Sequence, residues 1–169
     1  METETWIERM IVQELSHPDK RYKHDYKCKE ASTVELVVIC AHMKQITEDR
    51  DVQTWEDINE LEKEIEGRVE ETVERLREKG FLTKAGEQPL HEKSLLTRLA
   101  EGAKPEGEPP DTSPIWTVTD EGLAEAARIN AAYEDELVEL TGQYEDPEDT
   151  PRDELFSVLK RYGVLPDAL

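Results

Sequence analysis

The side chains best placed for chemistry in this chain are cations. Arg68, Arg75, Lys79 and Lys84 lie close together, and Lys93 and Arg98 come next. They fall in residues 63–104, where 9 basic side chains balance 9 acidic ones. Residues 1–62 carry 8 basic and 15 acidic side chains, and residues 105–169 carry 4 and 17. Local relief from an acidic background is what contact with a phosphate backbone requires, because each contact needs a cation or a polar donor. A second basic island holds Lys20, Arg21, Lys23, Lys27 and Lys29, interleaved with Tyr22 and Tyr26. Those rings could stack on sugars or bases, or pack against a neighbouring helix. The plain alternative for both islands is that positive charge survives wherever a helix has no need of an acidic face.

Other chemistries find less in the sequence. His24 and Cys28 are four apart and could be two metal ligands on a helix, but a tetrahedral zinc site needs two more. His17, His42, His91 and Cys40 show no paired spacing. Neither a glycine-rich phosphate loop nor a serine elbow is present. Acidic pairs occur throughout, so their spacing carries no catalytic information. The expectation is a protein that is not an enzyme, with no catalytic residues, no metal and no cofactor.

With 41 Asp plus Glu against 21 Lys plus Arg, the formal net charge is −20. Such a chain is either a disordered polyanion or a folded protein of a salt-loaded cytoplasm, where acidic surfaces keep proteins soluble and self-repulsion is screened. Regular apolar periodicity and helix caps favour the folded protein, of a halophilic archaeon. No apolar run approaches the ~20 residues that span a bilayer. The start, Met1 to Met10, lacks a basic region followed by an apolar stretch, so the expected location is cytoplasmic, without a membrane partner. Cys28 and Cys40 are then expected as thiols, Cys40 inside an apolar run.

The elements that must position the cations follow from caps and periodicity. Thr5 and Glu8 have capping-box spacing ahead of Trp6, Ile7, Met10, Ile11 and Leu15, which predicts a helix over 5–16. Ser32 and Glu35 open an apolar run from Val34 to Ile46, read as a buried helix. Val52 and Gln53 read as a short strand. Thr54 with Asp57 caps a helix with Ile58, Leu61 and Ile65 inward, and Gly67 is expected to break it. A second helix buries Val69, Val73 and Leu76 and ends at Gly80. Strands are expected from Phe81 and over Ile115 to Val118, with Trp116 and Val118 on one face. Residues 84–114 form a long insertion, in which Leu90, Leu95, Leu96 and Leu99 suggest a short helix and 102–114 a flexible segment. Thr119 caps a helix over 120–141, and a last helix starts at Thr150 and ends at Gly163.

Two strings in that order resemble winged-helix transcriptional regulators of the MarR and PadR type. The first is Arg75-Leu-Arg-Glu-Lys-Gly80-Phe81-Leu82, which in those families ends the recognition helix and enters the wing. The second is Trp116-Thr-Val-Thr119-Asp-Glu-Gly122, which leaves the wing for a helix that often helps to dimerise. The likeness covers about residues 31–141. It implies a mainly α protein with a small β-wing, a winged helix-turn-helix with additional N- and C-terminal helices. The division is 1–30 (helix and basic loop), 31–141 (winged helix with its insertion) and 142–169 (acidic linker and last helix). It also implies that the helix after Gly67 enters a DNA major groove. Its contacts would be Arg68, Glu70, Glu71 and Thr72, with Glu74 and Arg75 next along. Three of these are glutamates where the families usually carry small polar or basic residues.

Two functions follow. One is a DNA-binding transcriptional regulator adapted to high salt, binding double-stranded DNA as a homodimer through residues 5–16 and the helices from 120 onward. Its DNA contacts would be Arg68, Thr72, Arg75, Lys79, Lys84, Lys93 and Arg98, with the basic loop as a secondary arm. The other is a winged-helix module for a protein partner, without direct DNA binding, suggested by Glu70, Glu71, Glu74 and the acidic C-terminal region.

Overall fold

The computed structural model describes residues 1–18, 27–89 and 112–164. The described residues are mainly helical, with five α-helices and one small antiparallel sheet. Helix α1 (Trp6–Ser16) begins at the expected capping box: Thr5 Oγ1 accepts from the Glu8 amide at 3.2 Å, and the Glu8 carboxylate accepts from the Thr5 amide at 3.3 Å. Its Ile7, Met10, Ile11, Val12 and Leu15 are all buried. A two-residue strand, β1 (Ala31–Ser32), runs straight into α2 (Thr33–Thr47), which Ser32 caps through the Glu35 amide. The β-branched run of α2 is helical, as its cap and length predict, and buries Leu36, Val37, Cys40 and Met43.

Two expectations fail between Val52 and Gly80. Val52 and Gln53 are irregular chain in the connection that follows α2, not a strand. Gly67 does not break the helix: α3 (Trp55–Glu78) runs unbroken for 24 residues. The reason is energetic. A glycine within a helix costs about 1 kcal/mol, whereas burying one aliphatic side chain contributes about 1.5–3 kcal/mol. Leu61, Ile65, Val69, Val73 and Leu76 keep one buried stripe across Gly67, each at most 3% exposed. The pair of helices joined by a turn is therefore α2 and α3.

Beyond α3, Gly80 takes φ +83°, a left-handed conformation that other residues adopt only at a cost. The Phe81 amide then donates to the Leu76 carbonyl and the chain enters β2 (Leu82–Pro89). Strand β3 (Thr112–Val118) returns antiparallel, with Leu82 opposite Val118 and Pro89 opposite Thr112, and an irregularity between Lys84 and Gly86. Both strands are longer than expected. In the sheet β3 is central, in the order β1-β3-β2. Trp116 is buried and its indole N–H donates to Thr33 Oγ1 at 2.9 Å, pinning the sheet to α2.

Thr119 caps α4 (Asp120–Thr141), and α5 (Arg152–Tyr162) closes the described chain. The two strings of the resemblance meet at the base of the hairpin. The Thr119 amide donates to the Phe81 carbonyl at 2.9 Å, and Thr119 Oγ1 donates to the Gly80 carbonyl. A Cβ on Gly122 would lie 2.4 Å from that Phe81 oxygen, so only glycine lets α4 start this close. Helix α1 packs on α3, α4 and α5, which buries inside the chain the α1 stripe that suggested a dimer contact. No helix among the described residues is long and apolar enough to cross a membrane.

Candidate nucleic-acid interface

The residues expected to contact DNA divide into two sets, and the inner set is held by one carboxylate. Glu8 is fully buried where α1 starts beneath the last turns of α3. It accepts from the amides of Glu4 and Thr5, from Lys79 Nζ at 3.1 Å, and pairs with Arg75 Nε at 3.4 Å. Burial opposes its charge, but the amides and the Lys79 ammonium outweigh burial and hold its carboxyl below the ordinary value. Lys79 also donates to the Glu2 carbonyl at 3.1 Å. Thr72 is 1% exposed; its hydroxyl donates to the Arg68 carbonyl and accepts from Arg75 Nη2. Thr72 therefore reaches no ligand from the surface, and Lys79 and Arg75 join helices rather than stand free. Arg75 itself is 47% exposed, so its pairing with Glu8 leaves part of the guanidinium at the surface.

The outer set is smaller. Arg68 lies on the surface of α3 and forms no ion pair among the described residues. Lys84 is exposed on β2 and bonds to Glu87 Oε1 at 2.7 Å, while Thr112 Oγ1 donates to Glu87 Oε2 at 2.9 Å. The Lys84 and Thr112 bonds hold the Glu87 carboxyl below its ordinary value. Of the basic loop, Lys29 pairs with Glu14 of α1 and Lys27 lies at the surface. Lys20, Arg21 and Lys23, the His24 half of the His24–Cys28 pair, and Lys93 and Arg98 lie outside the described residues, as does the short helix expected around Leu90 to Leu99.

The solvent face of α3 is dominated by carboxylates. Glu56, Glu60, Glu64, Glu66, Glu70, Glu71, Glu74 and Glu78 are all exposed, against Lys63, Arg68, Arg75 and Arg77. Arg77 lies 3.0 Å from Glu74, which neutralises part of that remainder. Trp55, the first residue of the helix, is 81% exposed. The turn before it is clamped: Arg50 makes two bonds to Glu64, at 2.6 and 3.2 Å, and Lys44 approaches Glu64 at 3.2 Å. The Arg50 bonds, with Lys44, bring the Glu64 carboxyl down to about 2.

Sequence reasoning missed Lys63 and Asn59, which share the exposed face, because it placed a helix end at Gly67. The i, i+4 continuity of Leu61, Ile65 and Val69 was the signal that could have found them. It read Glu8 as a local cap only; its second role depends on Lys79, 71 positions away. Cys28 and Cys40 form no disulfide, and burial pushes the Cys40 thiol above its ordinary value. No family model matches the chain, and no curated protein or solved structure matches it.

Proposed function

We propose that this chain is a winged-helix module that docks a cationic protein partner in a high-salt cytoplasm. The succession α1–β1–α2–α3–β2–β3 with strand order β1-β3-β2 supports the winged-helix half of this reading, with α2 and α3 taken as the helix pair and β2–β3 as the wing. Fold alone does not choose the ligand. The observation that carries the functional half is the charge of α3: it holds eight exposed glutamates, while Arg75 and Lys79 reach to Glu8. At molar salt the Debye length is about 3 Å, so contact-range pairs decide affinity. A glutamate in contact favours lysine or arginine and disfavours phosphate. The test is a binding selection in molar KCl with fragmented DNA from the source organism. The folded chain should enrich no site; enrichment of a few sites with inverted symmetry would sink this reading.

A second reading, a DNA-binding transcriptional regulator, is favoured by one specific observation. Lys63 and Arg68 are exposed on α3 and make no ion pair among the described residues, so their charges are available to a groove. On that reading Lys63→Ala with Arg68→Ala abolishes DNA retention without unfolding the chain. Retention unaltered by the pair of changes removes α3 as the contact.

A further inference from the structure

We draw no further inference here: the strongest candidate, the cleft between α4 and α5 lined by Glu136, Glu139, Leu140, Glu154, Val158 and Arg161, is a cluster of carboxylates in which Glu136 already pairs with Arg161, and nothing in the structure shows what would occupy it.

Discussion

The inner corner of α3 and its outer face are built from the same residue types and come to opposite ends. At the corner, one fully buried glutamate gathers Lys79, Arg75 and two amides. On the outer face, eight exposed glutamates meet few cations: Arg77 pairs with Glu74, and Arg50 and Lys44 with Glu64. At the corner, charge is removed from water, so every donor must be matched and loss of one partner strands the others. On the face, water solvates each carboxylate, so the pairs contribute little to stability and the charge stays available to a partner. The lesson is that charge content cannot assign a role here; distance from solvent does.

The largest expected effect would break the corner. Glu8→Ala leaves the Lys79 ammonium, the Arg75 guanidinium and the Glu4 and Thr5 amides without their acceptor, and should cost about 3 kcal/mol in denaturant unfolding. A loss no greater than that of an exposed glutamate would erase the contrast. The pH dependence sharpens it further. Glu8, Glu64 and Glu125 (a buried carboxylate of α4 that burial would raise but that the Arg128 guanidinium and the Thr3 amide hold down) all lie below the ordinary carboxyl value of 4.5, and Glu64 sits at about 2. Carboxyls lowered on folding stabilise the fold above their unfolded value and lose that contribution as they protonate. Stability should therefore fall as pH drops from about 4.5 toward about 2, and Glu8→Gln should flatten part of that slope. A thermal-unfolding series across that window checks the sign.

Smaller effects belong to the outer face. Gly67→Ala should stabilise the chain by up to about 1 kcal/mol, because α3 is already helical through that position and the added methyl meets nothing among the described residues. Destabilisation would mean that the helix needs glycine there. Glu70→Gln with Glu74→Gln should leave stability within about 0.5 kcal/mol. A larger loss in either direction would show that the face takes part in the fold.

Much of the fold was legible. Thr5, Ser32, Thr54 and Thr119 announced four helix starts, since a short side chain three residues before a matching amide is a local signal. Gly80-Phe81 and Thr119-Asp-Glu-Gly122 announced the base of the hairpin, where the two strings meet. The candidate site was less legible. Thr72 reads as a surface threonine in sequence, yet the turn of α3 that carries it faces the core. Gly67 reads as a stop, yet the buried stripe on either side outweighs it.

The sequence by itself determined where helices begin, which faces are apolar and how acidic the surface must be, because caps, periodicity and charge are properties of neighbours along the chain. Only the tertiary structure decided that Lys79 and Arg75 serve Glu8, that α3 is one helix, and that its outward side is a row of glutamates. Those outcomes turn on packing between residues as many as 71 positions apart and on which face is closed to water.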